Sequence, residues 1–304
     1  MAKYFGLDIG GTKCALAIGN EDGEILSSEE FPTSSFVTPR AVLDEYLRRM
    51  ERWMDGSFKG IGISVGGPLD SRKGLILSPP NLPGWDEVPI VDYLERRTGL
   101  PVRLENDANA CALAEFRFGN GRGFDNVIFL TFGTGMGAGL ILDGKLYRGR
   151  NDLAGEAGHI RLRDEGPMGY GKRGSFEGFC SGGGIKRLAE SYVREHPETT
   201  LDKEDLSAKA ICIAAEQGNP EALALTCLVA EQLGYALSLL TDLLNPDAII
   251  IGSIYTRSES LFRDKALEVM ERECLPQAFR NVRLLPSKLG DSLGLKAALA
   301  VAVG

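Results

Sequence analysis

Apolar residues come in short strand-like runs at 3–8, 12–19, 24–31, 59–65 and 101–104. Helical spacing takes over at 40–54 ("RAVLDEYLRRMERWM"), 88–98 and 107–118. Strands alternating with helices predict an α/β architecture. The stretch 66–86, "GGPLDSRKGLILSPPNLPGWD", is rich in Gly and Pro and reads as loop with one short hairpin. Residues 164–184 are Gly-rich and irregular. From 181 onward the pattern is mainly helical, broken by one buried strand, "DAIIIG", at 247–252. The end, 290–303, reads as an apolar helix.

One supersecondary pattern occurs twice. "FGLDIGGTKCALAIGNEDGEI" (5–25) and "IFLTFGTGMGAGLILDGKL" (128–146) each give strand, tight turn, strand and an Asp-Gly hairpin turn. Asp8 aligns with Thr131, Gly10 with Gly133 and Gly11 with Thr134. Two copies of one unit predict a duplicated domain. A Gly-Thr turn between strands exposes backbone N–H groups to an anion, and Thr12 and Thr134 add hydroxyls. Asp8 repels a phosphate unless a divalent cation lies between them, held largely through water as magnesium prefers. Two facing copies would clamp a polyphosphate between two domains.

The 304 residues suffice for two domains, and the net charge of -8 with a pI near 5.1 argues against nucleic acid or an anionic membrane as partner. No signal pattern and no apolar run long enough to span a bilayer stand out. Six scattered cysteines read as reduced thiols, so a cytoplasmic location is expected.

"LENDANACALAEF" puts Glu105, Asn106 and Asp107 at a strand-to-helix junction, where local context favours a helix cap. "GEAGHI" supplies Glu156 and, three residues on, His159. Only one other histidine exists, His196, which reads as solvated.

"LDIGGTK", "ENDANA", "TFGTGMGAGLI", "GEAGH" and "PDAIIIG", in this order, resemble the ROK family of sugar kinases, repressors and open reading frames. The resemblance covers nearly the whole chain. It implies the actin-like ATPase (ribonuclease H-like) fold, with two duplicated α/β domains closing over ATP and sugar. The expected division is 1–118 plus the helix 290–304, against 119–289. By resemblance the turn from Asp8 through Gly10, Gly11, Thr12 and Lys13 holds the ATP phosphates and Mg²⁺ from one side. Thr131, Gly133, Thr134 and Gly135 hold the phosphates from the other, and Gly252 approaches the adenosine. Ser253 stands where a second glycine is usual. Asp107 aligns with the catalytic base, and Asn106, Glu156, His159 and Glu177 with sugar ligands. Gly67 and Asn81 match loop positions lining the same pocket. Many members carry three cysteines that, with the His, hold a structural zinc. Here Met168, Tyr170 and Ser175 stand in their places, so no zinc site is expected and the hold on His159 comes into question. Gly171, Gly174 and Glu177 are kept. The repressors' DNA-binding domain precedes the first turn, and only seven residues precede Asp8, so no nucleic-acid partner is expected. A homodimer is expected because the family commonly forms one. The implied activity is transfer of the γ-phosphoryl of MgATP to a primary hydroxyl, O6, of glucose or an N-acetylated hexosamine. The competing reading is a non-catalytic sugar-binding regulator on the same scaffold.

Overall fold

A computed structural model describes all residues, 1–304. β1 (Lys3–Ile9), β2 (Lys13–Asn20) and β3 (Ile25–Pro32) form an antiparallel meander. α1 (Pro39–Glu51) starts on Thr38, whose hydroxyl accepts from the Ala41 N–H, with Pro39 at the first helical position. β4 (Phe58–Val65) returns parallel to β1. The Gly/Pro-rich stretch holds only the hairpin β5 (Leu69–Asp70) and β6 (Leu75–Ile76). α2 (Ile90–Thr98), β7 (Val102–Asn106) and α3 (Asp107–Phe118) follow. The sheet order is β3-β2-β1-β4-β7.

β8 (Val127–Leu130), β9 (Ala138–Leu142) and β10 (Lys145–Leu146) repeat the meander. Asp143 and Gly144 between the last two both have positive φ (49° and 73°), the turn that Asp-Gly favours. A small hairpin, β11 (Met168–Gly169) and β12 (Lys172–Arg173), leads into α4 (Phe176–Phe179) and α5 (Gly182–Glu195). Then come α6 (Ala208–Glu216), α7 (Pro220–Leu244), β13 (Ala248–Ile251), α8 (Ile254–Arg257), α9 (Glu259–Glu273), α10 (Pro276–Asn281) and β14 (Arg283–Pro286). This sheet runs β10-β9-β8-β13-β14 and matches the first strand for strand in order and sense. The duplication is therefore real. Thr131 takes the place of Asp8, but its partner across the turn is Gly137, six residues on, where Asp8 pairs with Ala15, seven on. The second turn is one residue tighter.

Two expectations need correcting. The helical second half is broken by two strands, not one: β14 was not legible, because "RLLP" is a short edge strand ending on Pro286. One helix, α7, is also long and apolar enough by length and composition to cross a membrane. Its buried positions, among them Leu225, Val229, Leu233 and Leu237, build the larger core.

α11 (Leu293–Val303) lies on the first sheet at β1 and β4. The approach is so close that a Cβ on Gly62 would come within 2.1 Å of the Ala298 carbonyl. α3 lies on the second sheet in the same way: a Cβ on Gly139 would meet the Ala108 carbonyl at 2.5 Å. The molecule is thus layered as sheet, α11, α3, sheet. Ala110 and Ala114 of α3 and Ala297, Ala300 and Val301 of α11 share one buried cluster.

Candidate active site

β1 ends at the first glycine turn. Gly10 N–H donates to Lys13 O at 3.1 Å, and the Thr33 hydroxyl donates to Gly10 O at 2.6 Å, fixing the turn from β3. A Cβ on Gly11 would sit 2.3 Å from the Asn81 carbonyl. Asn81 therefore rests on the first glycine turn, with no hydrogen bond to Asn106 or Asp107. Thr12 is exposed. Lys13 Nζ reaches Glu30 Oε1 at 2.7 Å on the surface and makes no hydrogen bond to Asp8.

The Asp8 carboxyl abuts the start of α11, where a Cβ on Gly294 would lie 2.6 Å from Oδ2. Its pKa is pushed up from 3.8 to about 6, first by dehydration and then by the Asp107 charge, against the pull of Lys13. A dehydrated carboxylate with no basic side chain bonded to it fits a divalent cation carrying most of its own water.

Across the cleft, the second turn is braced from below. The Thr131 hydroxyl accepts from Gly137 N–H at 2.9 Å, so it serves its own turn. Gly133 O and Thr134 O accept from Gly182 and Gly183 N–H at 2.7 and 3.3 Å, seating the turn on the start of α5. Glu177 Oε2 accepts from Met136 N–H at 3.1 Å and lies 2.8 Å from where a Gly135 Cβ would be. Glu177 therefore ties α4 to the second glycine turn, with one carboxylate oxygen already engaged. Gly252 continues β13 by donating to Leu130 O at 2.9 Å. Ser253 holds a left-handed φ of 54°, a backbone suited to glycine, and its hydroxyl sits 3.5 Å from a Gly133 Cβ position.

The junction at 105–107 divides its labour. Asn106 is the cap: its Oδ1 accepts from Ala108 and Asn109 N–H at 2.9 and 3.4 Å. Only its Nδ2, 3.4 Å from a Gly67 Cβ position, remains to meet a ligand. Asp107 is the first helical residue, and one carboxylate oxygen accepts from Ala108 N–H at 2.8 Å. Water reaches the carboxyl, but the cleft walls crowd it, and dehydration raises its pKa. Glu156 is raised too, by dehydration first; His159 opposes that, while Asp107 and Glu177 reinforce it. These four groups share one electrostatic neighbourhood. His159 is exposed, its ring edge-to-face with Tyr170 at 5.1 Å.

Glu105 has a part that the sequence did not reveal. It is buried and takes three donors: Asn106 N–H at 3.0 Å, Asn109 Nδ2 at 2.9 Å and Arg148 Nε at 2.7 Å. Arg148, just past β10, thereby links the segment that leads to Glu156 with the residue before Asn106. Ser71 and Asp152 make a parallel link, hydroxyl to carboxylate at 2.8 Å. A buried carboxylate asks for a cation, but nothing in the sequence names Arg148 as the one.

Met168, Tyr170 and Ser175 are not thiolates, and Cys180 points its buried thiol at Val229 O, 3.5 Å away. No group of three or more His, Cys, Asp or Glu side chains is placed to hold a metal ion. These residues do not fit a structural zinc.

Two like-ordered α/β halves, facing across a cleft of glycine turns and carboxylates, define the actin-like ATPase fold of sugar kinases. The chain belongs to the ROK family, whose model matches residues 4–304. It is 34% identical to the glucokinase of Streptomyces coelicolor over 99% of this chain and 98% of that one. It is 30% identical to the N-acetyl-D-glucosamine kinase of Haemophilus influenzae, over 98% of both. Among solved structures, the ROK glucokinase of Streptomyces griseus in complex with glucose and AMPPNP superposes with a TM-score of 0.80 at 34% identity, over 99% of each chain.

Proposed function

We propose that the chain is an ATP- and Mg²⁺-dependent hexose kinase. It transfers the γ-phosphoryl group to a primary hydroxyl, O6, of glucose or an N-acetylated hexosamine. The observation that most supports this is Asp107 at the cleft floor, relieved of capping by Asn106 and facing the Asp8 side of the same cleft. A hexose hydroxyl is a weak nucleophile, and a carboxylate there can orient it and accept its proton as the new P–O bond forms. Glu156, His159 and the free oxygen of Glu177 accept from or donate to other sugar hydroxyls, and Asn106 donates through Nδ2. The Gly10 and Gly133 N–H groups close their own turns, so the N–H groups of Gly11 through Lys13 and of Thr134 and Gly135 face the phosphates, and the segment at Gly252 approaches the adenosine. Magnesium, on the Asp8 side, supplies charge neutralisation for the phosphates. Closure of the halves excludes water and protects ATP from hydrolysis. A cytoplasmic homodimer without membrane or nucleic-acid partners is the setting this reading expects.

A coupled ADP-release assay over a monosaccharide panel, with and without magnesium, tests the proposal. Sugar-dependent ADP release is the expected result. Tight sugar binding with no ADP release would favour the regulator instead.

A further inference from the structure

The segment that lacks the zinc cysteines is nonetheless firmly built. Ser175 is fully buried: its Oγ accepts from Gly178 N–H at 3.1 Å and lies 3.2 and 3.4 Å from the Lys172 and Gly169 carbonyls, to either of which it can donate. One residue on, Phe176 N–H donates to Ile160 O at 2.8 Å, beside His159. Lys172 Nζ donates to the His159 carbonyl at 2.7 Å. Tyr170 and Gly171 form the two-residue turn of the hairpin, with φ of 44° and 76°. Such a turn favours Asn, Asp or Gly first. A tyrosine there is strained, is 66% exposed, and makes no hydrogen bond through its hydroxyl. What its ring does make is the edge-to-face contact with the His159 imidazole, interplanar angle 73°.

We propose that the β11–β12 hairpin is a metal-free clamp on His159. Ser175 locks the hairpin to α4, Lys172 fixes the His159 backbone, and Tyr170 is the positioning residue that sets the imidazole ring. Backbone strain at Tyr170 is tolerated because the ring contact compensates it. The kinetic consequence rests on the reading of His159 as a sugar ligand; the clamp itself does not.

The chain has only two histidines, so the ring-proton NMR signals of His159 can be assigned against His196→Gln. Tyr170→Asn suits the turn and should melt no lower than wild type, yet shift the His159 ring signals. It should raise the sugar KM about threefold to tenfold, the range of one aromatic contact, with kcat and the ATP KM unchanged. Tyr170→Phe should restore both signal and KM. His159 signals that stay in place in Tyr170→Asn overturn the clamp. So do signals that move on exhaustive chelation, or about one zinc per chain by elemental analysis. Shifted signals with an unchanged sugar KM leave the clamp standing and sink the assignment of His159 to the sugar.

Discussion

Asp107 lies one place inside α3, and that one place separates the chemistry proposed for it from capping. The extended backbone of Asn106 (φ −63°, ψ 145°) makes it the cap, which the residue types alone leave undecided between neighbours. Asp107→Asn keeps an oxygen for the Ala108 N–H and so should leave the melting curve nearly unmoved. It should lower kcat ~10²–10⁴-fold, the usual worth of a positioned base, with the ATP KM little changed. Because dehydration raises the Asp107 pKa, activity should fall on the acid side from above the ordinary carboxylate range, as falling pH protonates the base. A melting curve and a pH–rate profile on one preparation check both. Wild-type turnover in Asp107→Asn would reduce the residue to structure. Other details at this level were closed to sequence reading. Lys13 turns to Glu30, Glu177 gives an oxygen to Met136, and Asn81 rests on Gly11, each decided by neighbours far along the chain.

Elements were legible where periodicity was long or apolar content high. β1, β2, β4, α1 and α3 fall within a few residues of their predicted runs, while β14 was lost because a four-residue strand with one buried residue, Leu284, carries no period. The joints between elements were not legible at all. Glu115, fully buried on α3, is the main one. Its Oε1 accepts from the Ser287 hydroxyl at 2.5 Å and from Lys288 and Leu289 N–H at 3.0 and 3.2 Å, and its Oε2 from Asn120 N–H at 2.9 Å. One carboxylate thus ties the end of α3 to the strand-to-helix passage that leads from β14 into α11. Glu115→Gln turns an NH₂ group toward a donor and leaves at least one N–H without an acceptor. Unfolding in urea should show a loss of about 1.5–3 kcal/mol, the worth of a charged hydrogen bond. Unchanged stability would mean that the joint is held by packing around it and not by the carboxylate.

The duplication was visible in two turns, and the layering that follows from it explains how the molecule can work as a pair of jaws. Each sheet carries one helix directly on its backbone, α11 at Gly62 and α3 at Gly139. The seam between these helices holds Ala110, Ala114, Ala297 and Ala300, with Leu289 and Val301 in the same buried cluster. Where the seam is alanine its surface is smooth, which suits closure of packed layers by sliding. Larger side chains would interlock and hold one arrangement. Ala110 is fully buried in this seam. Ala110→Val should therefore do two separable things. Overpacking should lower stability by about 1–3 kcal/mol. The seam should also become rougher, so that glucose with a non-hydrolysable ATP analogue contracts the molecule less than in wild type. Small-angle X-ray scattering with and without the ligands measures the second effect, and sugar titration by the buried Trp85 confirms that the site is filled. Full contraction in a variant that binds both ligands would place the moving surface elsewhere. The cross-links Arg148–Glu105 and Asp152–Ser71 would then be the contacts to vary next.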